Sequence, residues 1–266
     1  MSNEEVDAQN DALGEAMPEP EATPVPRPSN RRVVLQAAGV VAVAFVLSRF
    51  LGLARDVIMS AYFGVGTAEA TAYALSIRLP DLIFNIIAGG ALGSAFIPTF
   101  AAFYTRETEE SAWRLFSAVL NLIVLAVTLI AAVTAIFAPF LVNTFFVSAQ
   151  DVASFPTLPA LTVSMMRWML ISTVIFGASG VFMATLNARQ HFLVPALAAA
   201  VYNVGIIIGI VLFYPNVMGI AYGTVLGALG HLLIQLPVLW RKGARYQPLF
   251  SWRVAGVTQV LRLMAP

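Results

Sequence analysis

The 266-residue chain has no cysteine and only two histidines, His191 and His231. Without cysteine there can be no disulfide bond, no thiolate nucleophile and no cysteine-ligated metal. Two histidines are too few for a histidine-rich metal site. The sequence also has no glycine-rich phosphate loop, no H-E-x-x-H and no G-x-S-x-G. We therefore expect no metal, no cofactor and no enzyme activity.

Charge is also scarce. Charged residues make up 11 % of the chain and hydrophobic residues 59 %, whereas soluble domains have roughly 25 % and 45–50 %. This composition excludes a typical water-soluble protein. After residue 30 the chain has fourteen bases and seven acids, scattered among long apolar runs. That pattern favours membrane helices with basic cytoplasmic loops over a nucleic-acid-binding surface.

Residues 1–30 differ from the rest of the chain. They hold seven acids, one base, five of the fifteen prolines and almost no large apolar side chains. Such a segment buries too little apolar surface to offset the entropy lost on ordering. We predict a disordered, acidic, proline-rich cytoplasmic tail. A cleaved signal peptide is not expected, because signal peptides begin with a basic segment.

Six hydrophobic stretches follow the tail, and about 20 apolar residues are enough to cross a bilayer as a helix. They are residues 33–63, 70–104, 115–142, 159–186, 192–214 and 218–239, and a seventh stretch begins at 254–266. We predict an all-α polytopic membrane protein with a six-helix lobe over residues 31–245. Residues 246–266 would start a seventh helix that the chain end truncates.

The loops between these stretches predict the orientation, because Lys and Arg collect in short cytoplasmic loops. Alternate loops, residues 64–67, 148–155 and 214–216, contain neither. The other connections contain nine: Arg31, Arg32, Arg106, Arg114, Arg189, Arg241, Lys242, Arg245 and Arg253. We therefore expect the N-terminus to lie in the cytoplasm.

The first stretch contains ionisable residues, which are costly inside a membrane. At 100° per residue, a polar stripe about 120° wide holds Ser48, Arg49, Gly52, Arg55 and Asp56. Arginine suits phosphate because its planar guanidinium stays charged and can donate two parallel hydrogen bonds. We predict a cationic cavity for an anionic headgroup, in which Asp56 orients Arg55 or responds to a coupling cation. The alternative is that these charges reach the interface or pair only for packing.

The second stretch has a weaker polar face. On the same projection it holds Thr71, Arg78, Asp81, Asn85 and Gly89 within about 80°. Two adjacent polar faces suggest a shared hydrated cavity, to which we assign Arg78 and Asn85. Pro80 is expected to kink the helix.

Four residues are candidate hinges because glycine and proline interrupt regular helices. They are Gly52, Pro80, Gly89 and Gly90. In the sixth stretch, glycines at 223, 227 and 230 predict close helix approach. Packing and snorkelling both remain open for Arg167, and a lone histidine such as His231 is expected to be a packed side chain.

Four motifs together resemble a known family. They are Ser48-Arg-Phe-Leu-Gly-Leu-Ala-Arg-Asp56, Phe63-Gly-Val-Gly66, Arg78-Leu-Pro-Asp-Leu82 and Gly90-Ala-Leu-Gly-Ser-Ala-Phe-Ile-Pro98. Over residues 33–266 the chain resembles the MurJ/MviN lipid II flippases of the multidrug/oligosaccharidyl-lipid/polysaccharide exporter superfamily. It departs from the family pattern at Thr71, Phe84, Asn85 and Gly89.

The resemblance implies translocation of the undecaprenyl-pyrophosphate-linked peptidoglycan precursor, lipid II, across the bacterial cytoplasmic membrane. It places Arg55 and Asp56 in a central cationic cavity, with Ser48 and Arg49 beside them. Family members pair two six-helix lobes for alternating access, so this chain corresponds to the N-terminal lobe. The partners implied are lipid II, membrane lipids and a second lobe from a C-terminal half or a split-gene partner, with no nucleic acid.

Two alternatives remain open from the residues. One is an exporter of the same superfamily that carries a lipid-linked oligosaccharide or a small cationic drug. The cationic cavity argues against the drug. The other is a truncated fragment that does not transport by itself.

Overall fold

All regular secondary structure in the described residues is helical, as the sequence predicts. The computed structural model describes the backbone of residues 31–264, and the side chains of these residues except 31–37, 87–91 and 264. The predicted tail, residues 1–30, lies outside the described residues. The α-helices are α1 (Arg31–Phe63), α2 (Ala68–Ser76), α3 (Arg78–Asn85), α4 (Ile97–Arg106), α5 (Glu109–Leu141), α6 (Ala149–Ser154), α7 (Leu158–Ala188), α8 (Leu193–Phe213), α9 (Met218–Leu233), α10 (Leu236–Arg241) and α11 (Val257–Met264). Ile86–Phe96 and Val142–Phe146 are π-helical.

Five segments within the described residues are long and apolar enough to cross a membrane. They are Ala38–Phe63, Glu109–Phe146, Leu158–Ala188, Leu193–Phe213 and Met218–Arg241. These segments match the first, third, fourth, fifth and sixth predicted stretches, with ends that differ by at most six residues. The prediction of an all-helical chain is confirmed for the described residues, and the five segments fit a polytopic membrane protein. The count of six crossings stays a prediction.

The second predicted stretch is divided rather than continuous. It consists of α2, α3, the π-helical segment and α4. Helix α2 ends at Ser76, four residues before Pro80, because proline has no N–H to donate to the Ser76 carbonyl. The expected interruption at Pro80 is therefore confirmed. Gly89 and Gly90 lie in the π-helical segment, and their action as hinges remains a prediction.

The core of the compact unit that begins at Val40 lies where α4, α5 and α7 meet. Its largest fully buried side chains include Phe100 of α4, Trp113 of α5 and Met166 of α7. Phe100 and Trp113 pack edge to face with ring centroids 5.6 Å apart, a favoured aromatic geometry. The π-helical segment adds Phe96, whose ring lies 5.5 Å from that of Phe100.

Helices α8 and α9 approach closely through glycines on both helices. A Cβ built on Gly205 would lie 2.3 Å from the Cα atom of Gly227, and one built on Gly209 would lie 2.4 Å from that of Gly223. A Cβ on Gly230 would lie 2.7 Å from a side-chain atom of α8. Small residues permit such contact between membrane helices. The predicted role of the glycines in the sixth stretch is confirmed.

Arg167 has a packing role that the sequence left open. Pro139 lies inside α5, so the carbonyl of Ala135 lacks its usual backbone donor. The Nε atom of Arg167, on α7, donates a hydrogen bond to that carbonyl at 3.0 Å. The arginine therefore replaces the missing bond and joins α7 to α5.

Arg189 connects three segments at one end of the helices. Its guanidinium lies 4.2 Å from the ring centroid of Tyr104 and donates hydrogen bonds to the Tyr104 hydroxyl and the Lys242 carbonyl.

Burial and the nearby charge of Lys242 lower the pKa of His191. Both effects favour the neutral form of His191.

The glycine packing gives the first prediction. Replacing Gly209 by alanine would place Cβ 2.3 Å from the carbonyl oxygen of Gly219, a backbone atom that cannot rotate away. We expect the free energy of unfolding to fall by about 1–3 kcal/mol, measured by thermal unfolding in detergent. Gly39→Ala is the matched control, because a Cβ there meets nothing within 4 Å. Equal loss in both variants would contradict the packing.

Candidate functional site

The polar stripe of α1 lines a single cavity, which we call the cationic cavity. Its volume is about 570 Å³, and α8 forms its other wall. All five members of the stripe line it: Ser48, Arg49, Gly52, Arg55 and Asp56. The expectation that these residues share one face is confirmed. Their roles in binding remain a prediction.

Arg55 is held by two partners. Its Nε and Nη2 atoms donate to Oδ1 of Asp56 at 3.0 and 2.8 Å, and Nη1 donates to Oδ1 of Asn203 at 3.2 Å. The Arg55 side chain is 20 % exposed and that of Asp56 is 54 % exposed. Three of the five N–H donors of the guanidinium are thereby used. Two remain for a ligand.

Asn203 fixes α1 to α8. Its Nδ2 atom donates to the carbonyl of Ser48 at 3.4 Å and to that of Ala199 at 3.1 Å. Gly52 lies opposite, and a Cβ there would stand 3.7 Å from Nδ2 of Asn203. That is ordinary contact, so this packing does not require glycine at 52, and its role as a hinge stays a prediction.

The second stretch contributes less to this cavity than the sequence suggests. Tyr73 and Asp81 lie close enough to Arg55 to interact with it electrostatically. Arg78 and Asn85 are both exposed and line neither the cationic cavity nor the second cavity described below. Their assignment to the cationic cavity remains a prediction.

A second cavity of about 490 Å³ adjoins the first, and we call it the aromatic cavity. Its wall includes five aromatic side chains: Phe45, Phe84, Phe176, Phe192 and Tyr202. Pro80 and Asp81 also line it. Phe45, Ala199 and Tyr202 line both cavities, so the two spaces share a wall.

His231 is more than an isolated packed histidine. Its Nδ1 atom lies 2.6 Å from the hydroxyl of Ser179 and 3.3 Å from Nε2 of Gln235. Gln235 also donates to Ser179 at 2.7 Å. These three buried side chains link α7, α9 and the residue before α10. The expectation of a packed role is confirmed, with the addition of polar partners.

Asn203 also matches the family pattern in the sequence, but sequence reasoning assigned neither Asn203 nor Tyr202 to the site. Asn203 is the single Asn, Gln, Asp, Glu, Lys or Arg within α8, and an isolated amide in an apolar helix is a usable signal. Tyr202, its neighbour, lies between the two cavities. The α8 face that contains them could not be assigned to α1 without the structure.

Two solved structures share this fold. One is described as lipid II flippase MurJ in an inward closed conformation, with 22 % identity and a TM-score of 0.64 over 84 % of this chain and 46 % of that one. The other is a MOP superfamily transporter from Pyrococcus furiosus, described as having a binding pocket of reverse polarity. It has 16 % identity and a TM-score of 0.65 over 85 % of this chain and 50 % of that one. Both likenesses concern the fold, which this chain shares with about half of each solved chain.

The family follows from the sequence comparison. The family model for lipid II flippase MurJ matches residues 59–266. The probable lipid II flippase MurJ of Vibrio cholerae is 28 % identical over 88 % of this chain and 46 % of the relative. The chain belongs to the MurJ lipid II flippase family.

Membership indicates a cellular location. A chain of this family with several apolar helices is a multi-pass protein of the bacterial inner membrane. The chain spans about half the length of the curated relatives it matches. Neither the family match nor these relatives favour the exporter or non-transporting alternatives.

The Arg55–Asn203 contact gives the second prediction. In a double-mutant cycle of Arg55→Ala and Asn203→Ala, we expect a coupling of about 0.6–1.7 kcal/mol, the range of polar contacts between membrane helices. Unfolding in a denaturing detergent measures it. A control cycle combines Arg55→Ala with Asn143→Ala. The two losses of unfolding free energy should simply add, because the Asn143 side chain donates to the carbonyl of Pro139 within its own helical region and not to Arg55. Additivity in the first cycle would show that the contact contributes nothing.

Proposed function

We propose that this chain is the N-terminal lobe of a lipid II flippase and that its cationic cavity binds the pyrophosphate of the lipid-linked peptidoglycan precursor. The observation that carries the proposal is the geometry of Arg55. Asp56 and Asn203 hold the guanidinium against the cavity wall, and two N–H donors remain. Arginine donors fit phosphate oxygens, and Arg49 adds a second positive charge to the same cavity.

The other site residues take supporting roles in this proposal. Asp56 orients Arg55, and Ser48 offers a hydroxyl to the sugar or phosphate. Arg78 and Asn85 would join the site only when a conformational change brings the second stretch closer. Gly52, Pro80, Gly89 and Gly90 are the positions at which we expect that change to occur.

The outer surface of α1 supports a role for a second lobe. Phe50 and Val57 are 67 % and 60 % exposed, which suits contact with lipid tails or another apolar surface. Alternating access needs two lobes that rock around one site. A C-terminal half or a separate partner chain would supply the other lobe, and the isoprenoid tail would stay largely in the bilayer.

The proposed topology has six crossings and a cytoplasmic N-terminus. The divided second stretch, α2 to α4, supplies the sixth crossing, with the π-helical segment inside the membrane. The nine basic residues in alternate connections support this orientation. Residues 31–245 would form the lobe, and α11 would lie at the start of the seventh helix.

The cysteine-free chain allows a direct test of orientation. Val65, which is 85 % exposed, and Glu110, which is also exposed, lie at opposite ends of the second stretch. We expect a membrane-impermeant maleimide added outside the cytoplasmic membrane to label Val65→Cys in intact spheroplasts. Glu110→Cys should react only after lysis. The reverse pattern would contradict a cytoplasmic N-terminus.

Arg55 provides the test of function. The chain is fused to the C-terminal half of the Vibrio cholerae relative and expressed in a strain depleted of its own flippase. We expect Arg55→Ala to abolish the growth that the parent fusion restores, because the pyrophosphate loses its main donor. Arg106→Ala, which removes an exposed arginine outside the cavity, should grow normally.

A binding measurement separates loss of ligand from loss of transport. Farnesyl pyrophosphate, a short polyprenyl pyrophosphate, is titrated into the full chain in nanodiscs. Arg55→Gln should weaken binding about ten- to a hundredfold, since a hydrogen bond to a charged group contributes about 1.5–3 kcal/mol. Equal affinity of Arg55→Gln and the parent would overturn the assigned role.

A further inference from the structure

The aromatic cavity has features that binding an anionic headgroup does not explain. It is enclosed by α1, α3, α7, α8 and α9, and its volume of about 490 Å³ lies within the range of small-molecule sites. Besides the five aromatic rings, its wall contains Met169 and Met183. Methionine side chains adapt to ligands of different shapes.

Asp81 is the acidic residue of this cavity. It lies on α3 and lines the cavity wall. Among the described residues, no side chain forms an ion pair or a hydrogen bond with the carboxylate of Asp81. Arg55 acts on it only at longer range and is already paired with Asp56. Asp81 is also exposed, so its carboxylate is accessible to a ligand in this cavity.

His231 contributes the other polar group with a fixed orientation. Its Nδ1 atom faces Ser179 and Gln235, away from a ligand. Its ring lies 5.2 Å from that of Phe176, which in turn packs against Phe84 at 5.1 Å. Phe84, Phe176 and His231 therefore form one run of ring contacts in the cavity wall. Asp81 is the acidic side chain in the same wall.

We infer that the aromatic cavity binds a lipophilic organic cation, with its positive charge near Asp81 and its apolar body against the aromatic rings. Aromatic faces attract cations, and a carboxylate provides the opposite charge. An acyl chain would fit the apolar wall but leave Asp81 unpaired. The described residues hold no cluster of three His, Asp or Glu side chains that could ligate a metal ion.

This site goes beyond the proposed transport of lipid II. Its ligand has the opposite charge to the pyrophosphate and occupies a different cavity.

The shared wall brings Arg55 near enough to affect cation binding in the aromatic cavity. Arg55 lies within electrostatic range of Asp81, so its charge opposes a bound cation. Removing that charge should therefore strengthen cation binding.

The test uses two probes of matched shape and opposite charge. Tetraphenylphosphonium and tetraphenylborate are titrated by calorimetry into the full chain in nanodiscs of zwitterionic lipid, with empty nanodiscs subtracted. We expect saturable binding of the phosphonium and none of the borate. Asp81→Asn should weaken phosphonium binding about tenfold, and Glu107→Gln, which removes an exposed acid elsewhere, should leave it unchanged.

Two further variants keep the test decisive if Asp81→Asn does not fold. Phe176→Leu should weaken phosphonium binding by removing one ring of the wall, and Arg55→Gln should strengthen it. The inference is overturned if both probes bind equally to the parent chain, or if a folded Asp81→Asn variant binds the phosphonium as the parent does. Displacement by farnesyl pyrophosphate is the last comparison. If farnesyl pyrophosphate displaces the phosphonium from the parent chain but not from the Arg55→Gln variant, the cavity holds the lipid tail and the inference is overturned.

Discussion

The hydrogen bond between Arg55 and Asn203 is the contact on which both cavities depend. Between membrane helices there is little hydrophobic driving force, so packing and polar contacts hold them together. Between Ala38 and Phe63, α1 is largely exposed. It contacts α8 through the hydrogen bond to Asn203. Near its C-terminal end, the rings of Tyr62 and Phe63 pack against Tyr214, the residue after α8. The same amide therefore fixes the helix and orients the guanidinium.

The two cavities divide the polar chemistry of the chain between opposite charges. The cationic cavity holds Arg49 and Arg55, with Asp56 already paired. The aromatic cavity holds Asp81 without a close partner. Tyr202 and Phe45 separate the two. Arg49 and Arg55 are thus separated from Asp81 in space, and we propose that each cavity binds a ligand of a different sign.

Local patterns in the sequence predicted much of the fold and part of the site. Helical periodicity was enough to place Ser48, Arg55 and Asp56 on one face, because α1 runs without interruption through them. The same projection is not valid from Thr71 to Asn85, because the helix is interrupted at Ile77. Contacts between distant segments have no local pattern. Asn203 follows Arg55 by 148 residues, and Arg167 compensates for Pro139 from another helix.

If Arg55 binds a phosphate of the lipid while Asn203 and Asp56 hold its guanidinium in place, an experimental structure of the full chain with farnesyl pyrophosphate in a lipid nanodisc should show it. We expect a phosphate oxygen about 2.7–2.9 Å from a guanidinium nitrogen of Arg55, with the Asn203 contact intact. A pyrophosphate bound elsewhere, with Arg55 in contact only with Asp56 and Asn203, would contradict it.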